Sequence, residues 1–233
     1  MWWPWRKNKS EFKTDAERAH ASFSGRFNRV SAANASALLR ASNDNNNSNL
    51  AVLVVDVQRQ YCDPTHRQLR GNDETATVSQ RIATTVPLFR ALGVPVYAIY
   101  FDKMMTLDPA DAGWYRFRPE AGDIAVPKQQ DSAFRGSNIK HLLLENRHRT
   151  LLTCGFNRSS CVKSTIFDAR KGGFDVVLMA DLIGNDNRNP KGVFHARKDL
   201  GRFVKAGVNV VDSKMVLQNI QSQNCFSVLD FKD

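Results

Sequence analysis

Cys161 lies in residues 150–181 (TLLTCGFNRSSCVKSTIFDARKGGFDVVLMAD), where an apolar stretch gives way to a polar turn and then to a helical pattern. A cysteine in the first turn of a helix sits among backbone N–H groups that lack intrahelical acceptors, at the positive end of the helix dipole. Both favour the thiolate, which is the nucleophilic form. Two other residues could complete covalent chemistry. Asp56 ends an apolar run, and a carboxylate at the carboxyl end of a buried strand can take a thiol proton. Lys128, in Val126-Pro127-Lys128, reads as a loop residue ahead of a helix whose charge can stabilise the anions. Taken singly, each has a plainer use: an Asp caps a turn, and a free cysteine behaves as a small buried hydrophobe. Cys154, inside an apolar run, has that plainer use, whereas Cys161 stands in a polar turn.

The elements that must position these residues follow from periodicity. Leu50–Val55 (LAVLVV) is a continuous apolar, β-branched run, the pattern of a strand covered on both faces in a parallel sheet. Residues 72–92 predict a helix with Val78, Ile82, Val86 and Phe89 on one stripe and Gly93 as the stop; Pro87 implies a kink or a break. A second strand follows over 94–101, then a long loop over 102–126. Met104, Met105, Trp114, Tyr115, Arg116, Phe117 and Arg118 make that loop either a pocket wall for a flat or anionic ligand or an ordinary hydrophobic cluster. Residues 137–146 predict a helix with Leu142, Leu143 and Leu144 inward. Strand 150–154 (stopped by a break at Gly155), helix 160–171, strand 175–181, helix 190–206, strand 208–211 and helix 214–222 complete the chain. This alternation predicts an α/β fold, a three-layer α/β/α sandwich with a mostly parallel sheet of Rossmann-like topology. No Gly-x-Gly-x-x-Gly follows a strand, so dinucleotide binding is not supported.

Two organisational units are expected: a basic, Trp/Asn-rich extension and linker over 1–49, and a domain over 50–233. The extension joins an aromatic-basic tip (Trp2, Trp3, Trp5, Arg6, Lys7) to an Ala/Ser segment of weak helical character and to the run SNDNNNSN at 42–49. It could contact a partner or membrane surface, or fold back on the domain or a neighbouring subunit. The net charge of +10 invites a nucleic-acid reading. The basic residues are nevertheless dispersed and no nucleic-acid motif accompanies them, so no specific nucleic acid is expected. Four cysteines (Cys62, Cys154, Cys161, Cys225) show no Cys-x-x-Cys or Cys/His metal spacing. With no secretory apolar segment at the start and no apolar run long enough to span a bilayer, a reducing, cytoplasmic setting is expected.

In order, LAVLVVDVQ around Asp56, VPKQQDSAF around Lys128, CGFNRSSCVKSTIFDARKGGFDVVLMAD around Cys161, and FHARKDLGRFVKAGVNVVDSKMVL from Phe194 resemble the isochorismatase-like cysteine hydrolase superfamily. The resemblance covers about residues 50–217. It implies Asp56, Lys128 and Cys161 as a catalytic triad, with the backbone N–H groups of Asn157 and Cys161 as an oxyanion hole. It also implies a cis peptide bond at Phe156–Asn157 and a homo-oligomer.

Departures from the family narrow the reaction. Nicotinamidase relatives carry an Asp-x-His metal element and a further His after the second strand. Here that region reads YFDKMMTLDPADAGW with no histidine, and Cys62-Asp63-Pro64-Thr65-His66 does not restore the spacing. His141 and His148 read as surface helix residues. No metal and no cofactor are therefore expected. Relatives that cleave the vinyl ether of isochorismate typically lack the cysteine, so its retention favours hydrolysis of a C–N bond (amide, ureide or carbamoyl type) in a small molecule through a thioester. Two alternatives stand beside this: an isochorismatase-type ether hydrolase using Asp56 as acid, and a binding protein with a residual site. Gln58, Tyr61, Trp114, Arg116 and Phe134 are the candidate pocket residues.

Overall fold

The computed structural model of the chain describes residues 13–23, 25–43, 49–65, 68–102 and 113–229. The tryptophan tip, most of the Asn/Ser run, His66, Met104 and Met105 lie outside the described residues.

β1 (Leu50–Val55) is fully buried because every one of its side chains is apolar and each face of the sheet is covered. It pairs in parallel with β2 (Val96–Phe101) on one side and β4 (Thr150–Phe156) on the other. β3 (Ile124–Lys128), β5 (Asp175–Gly184) and β6 (Asn209–Val211) extend the sheet outward. The strand order is β3-β2-β1-β4-β5-β6, and all six strands are parallel. Because β2 and β3 run off one side of β1 and β4 to β6 off the other, the carboxyl ends of β1 and β4 flank the crevice where open α/β sheets bind ligands.

Alternation along β1 divides the core. Leu50, Val52 and Val54 pack with α2 (Gly25–Asn43), α4 (Asp73–Ala91) and α8 (Ser213–Leu229), through Ala35, Leu39, Val78, Ile82, Val216 and Ile220. Ala51, Leu53 and Val55 pack with α1 (Asp15–Ala21), α5 (Ile139–Glu145), α6 (Cys161–Lys171) and α7 (Val193–Lys205). The result is the expected three-layer sandwich, with α1 and α2 of the N-terminal segment joining opposite layers. A short helix, α3 (Arg59–Cys62), follows β1.

Several details differ from the sequence expectation. Lys128 is not a loop residue: it ends β3, a strand hidden by Pro127 and by the alternating exposure of its residues. An edge strand tolerates proline because one of its sides needs no ladder donor. Pro87 does not break α4, which runs as one helix. Gly155 does not end β4; it marks a register shift against β5, with φ of +112° and Val55 O only 2.0 Å from where a Cβ would stand. β5 continues past Asp181, whose carboxylate accepts from Ser213 N (2.7 Å) and Ser213 Oγ (2.5 Å) at the start of α8. His148 lies beyond α5, buried edge-on against Tyr97, and is not a surface helix residue; His141 is exposed.

Candidate active site

Asp56 is the first residue after β1. Its φ of +51° lies in the left-handed region, which Asp tolerates better than most side chains. The bend is held by Asp56 N donating to Ile99 O (2.9 Å) and Gln58 N donating to Asp56 O (2.8 Å). It delivers a fully buried carboxylate whose Oδ2 lies 2.9 Å from Lys128 Nζ, also fully buried.

The ammonium reaches this carboxylate because β3 registers Lys128 against Phe101 at the end of β2. Nζ stands 3.4 Å from the Phe101 ring centroid and donates to the carbonyls of Gln130 (3.1 Å) and Asp131 (3.2 Å). Those directed hydrogen bonds and the ring hold the cation, while the Asp56 oxygens accept no well-directed hydrogen bond among the described residues. Burial pushes the Asp56 carboxyl up to about 6; Lys128 opposes that rise without cancelling it.

Cys161 opens α6, one tight turn beyond β4, and is 4% exposed. The peptide bond between Phe156 and Asn157 is cis, as the resemblance implied. Asn157 O accepts from Ser160 N and Val162 N, both at 3.0 Å, which folds the turn into the helix start. Neither Asn157 N nor Cys161 N donates to a turn or loop carbonyl among the described residues. The side chain of Asn157 faces away, with its Oδ1 accepting from Asp186 N (2.7 Å). Arg158, fully buried, donates from Nε to Asp199 Oδ2 (3.1 Å) and from Nη2 to Pro190 O (3.1 Å). Asn185 Oδ1 accepts from Ser159 N (3.1 Å). The turn is thus pinned from several sides.

Burial first, then the charge of Asp56, pushes the Cys161 thiol well above its ordinary range, so the resting form is the protonated thiol. The dipole expectation for a standing thiolate is overridden by desolvation. Asp56 and Cys161 lie close enough for each to shift the other's proton affinity, while the polar contact of the sulfur itself is with Asp131 Oδ1, at 3.8 Å. Among the described residues no group of three or more His, Cys, Asp or Glu side chains could hold a metal ion, and no helix is long and apolar enough to cross a membrane.

The pocket candidates separate. Tyr61 is buried, and burial, then the charges of Asp56 and Cys161, raise its phenol, which stays a neutral hydroxyl. Gln58 is a structural clamp, its amide accepting from Phe101 N (3.0 Å) and donating to Phe101 O (3.2 Å). Trp114 and Phe117 join the core as an ordinary hydrophobic cluster, with ring centroids 5.8 Å apart. Arg116 turns outward to Gln80 Oε1 on the exposed side of α4 (2.8 Å). Phe134 packs on Phe174 (5.5 Å), beyond the far end of α6 from Cys161. Each of Gln58, Trp114, Arg116 and Phe134 thus has a structural partner of its own.

Sequence reasoning passed over Asp131 and Phe101. Asp131 Oδ1 lies 3.8 Å from Cys161 Sγ, and its Oδ2 accepts from Ser160 Oγ (2.9 Å). Its position three residues after Lys128 was the available signal, because a chain that wraps its carbonyls around Nζ must bring that side chain back to the site.

The chain shares 29% identity over 159 residues with N-carbamoylsarcosine amidase of Arthrobacter sp., covering 58% of this chain. That match spans 59% of the amidase, less than two thirds of its length. Ureidoacrylate amidohydrolase RutB of Azorhizobium caulinodans is 28% identical over 170 residues, covering 56% of this chain and 74% of that protein. The crystal structure of a cysteine hydrolase from Pseudomonas syringae pv. phaseolicola superposes with a TM-score of 0.66 at 21% identity, covering 76% of this chain and 94% of that one. The isochorismatase domain matches residues 50–214. With that match spanning most of the chain and the fold shared, the protein belongs to the isochorismatase family.

Proposed function

We propose that this protein hydrolyses the C–N bond of a small amide, ureide or carbamoyl compound through a covalent thioester on Cys161. The observation that carries this reading is the buried Asp56–Lys128 pair facing a cysteine at a helix start where two N–H groups donate to no turn or loop carbonyl among the described residues. The names of the amidase and amidohydrolase relatives support the same bond class.

The sulfur would attack the carbonyl carbon as Asp56 takes the thiol proton. Lys128 keeps the Asp56 site polar and anionic enough to act as base, and the oxyanion would accept from Asn157 N and Cys161 N. One good donor of this kind is worth roughly 3–4 kcal/mol. Collapse expels the amine, which leaves with the proton held by Asp56. Asp56 then deprotonates a water that attacks the thioester, and the released thiolate is reprotonated. Every proton step uses one carboxylate, and no metal ion is assigned to the reaction: the stretch from Tyr100 to Trp114 contains no histidine.

The test is intact-mass analysis with a panel of small amides and ureides. A transient acyl adduct is expected on the native protein and none on Cys161→Ala. Full turnover by Cys161→Ala would reject covalent catalysis and favour ether-type chemistry through Asp56.

A further inference from the structure

Asp131 is a carboxylate on the open side of the site, and the catalytic scheme gives it no task. Its side chain is exposed, unlike those of Asp56 and Lys128. Oδ1 lies 3.8 Å from the nucleophilic sulfur, and Oδ2 is held by Ser160 Oγ at 2.9 Å, so the carboxylate is aimed by the residue preceding Cys161. Its backbone carbonyl accepts from Lys128 Nζ (3.2 Å), which ties its position to the catalytic pair. Yet no Lys, Arg or His pairs with its carboxylate among the described residues. The cations that border these groups face other acids: Lys128 meets Asp56 at 2.9 Å, and Arg70, stacked 5.6 Å from the Tyr61 ring centroid, lies 4.0 Å from Asp186 Oδ2.

By itself this carboxylate works against catalysis, since a negative charge beside Sγ opposes thiolate formation. The arrangement becomes favourable when a positive or N–H-donating group stands between Asp131 and the sulfur. Such a group would donate to both anions and offset the repulsion as the thiolate forms. We propose that Asp131 is the specificity-determining residue of this site, selecting substrates that carry a cationic or N–H-rich group close to the scissile carbonyl and disfavouring substrates with a carboxylate there.

This inference rests on Cys161 being the nucleophile, and its test can be read without any amide turnover. Two thiosulfonate reagents of matched size are compared, one bearing a trimethylammonium group and one a sulfonate. Each forms a mixed disulfide with the thiolate and releases a sulfinate. Rates at Cys161 are followed by intact mass on the full chain, with Cys161→Ala supplying the background from the other cysteines and glutathione the intrinsic reagent ratio. The native protein should favour the cationic reagent, and Asp131→Asn should lower the normalised cationic-to-anionic ratio by about tenfold. A change of less than threefold, or a native ratio no higher than that of glutathione, overturns the inference. Loss of the Asp131 charge raises thiolate content for both reagents alike, so the ratio isolates recognition from reactivity. Full amide turnover by Cys161→Ala would instead defeat the covalent reading, whatever the ratio.

Discussion

Lys128 Nζ stands 2.9 Å from Asp56 Oδ2, with both side chains fully buried. A buried ion pair is a poor way to gain stability, because desolvation of two charges consumes most of the Coulomb attraction. Removing one partner is worse, since it strands the other charge. Lys128→Met should therefore lower unfolding free energy by about 3–5 kcal/mol and reduce kcat by roughly 10²–10⁴. Asp56→Asn should cost similar activity. Urea titration and steady-state kinetics on both variants check this, and near-native kinetics in either would remove that residue from the chemistry.

The acid side of the pH profile should follow Asp56. Burial pushes its carboxyl from 3.8 up to about 6, and a base must be unprotonated. kcat/KM is expected to fall as pH drops through about 6. The stability contribution has the opposite sign. A folded value above the unfolded one means that the native state holds the extra proton, so the contribution is fully present below about pH 4 and is lost as pH rises through about 6. A flat kcat/KM between pH 5 and 8 would contradict the assignment.

Gly155 should tolerate no side chain. A Cβ there would meet Val55 O at 2.0 Å and Val55 N at 2.7 Å, on backbone with φ of +112°. Both contacts are backbone atoms of the central strand next to Asp56, so neither can swing aside. Gly155→Ala is expected to destabilise by more than about 3 kcal/mol, with loss of activity in whatever fraction folds. Chemical denaturation measures the first and kinetics corrected for folded protein the second.

Glu74 offers a stability change outside the proposed chemistry. It lies in the first turn of α4, and burial, followed by the charge of Asp15 on α1, pushes it up to about 7; Arg158 opposes this. Its Oε1 has no hydrogen-bond partner among the described residues. Because the folded value exceeds the ordinary 4.5, the native state is penalised as pH rises from about 4.5 through 7. Glu74→Gln removes that penalty and should stabilise the protein by about 2 kcal/mol at pH 8, with little effect at pH 5. Urea midpoints at the two values decide it; equal shifts at both would point to packing instead of charge.

Sequence alone determined the layers and marked Asp56, Lys128 and Cys161 as candidate chemical groups. Leu50–Val55 has no polar residue, so it had to be a central strand, and its abrupt end at Asp56 placed a carboxylate at the ligand edge. The polar turn before Cys161 separated it from Cys154, because such a turn marks the end of a strand, at the ligand edge of the sheet, although both sulfurs are buried. Periodicity is local, and these conclusions needed only local information.

Tertiary structure decided what local pattern cannot carry. β3 was invisible because proline and alternating exposure erase the strand signal at a sheet edge, yet its register is what sets Lys128 opposite Phe101 and within reach of Asp56. Residues 58, 114, 116 and 134 looked equivalent as pocket candidates, and only the tertiary structure gave each its own partner, Phe101, Phe117, Gln80 and Phe174 respectively. Asp131 carried no signal beyond its spacing from Lys128. Its place beside the sulfur comes from the way the chain turns back over Lys128 toward α6, a contact between residues thirty positions apart that depends on the register of two strands and the start of a helix.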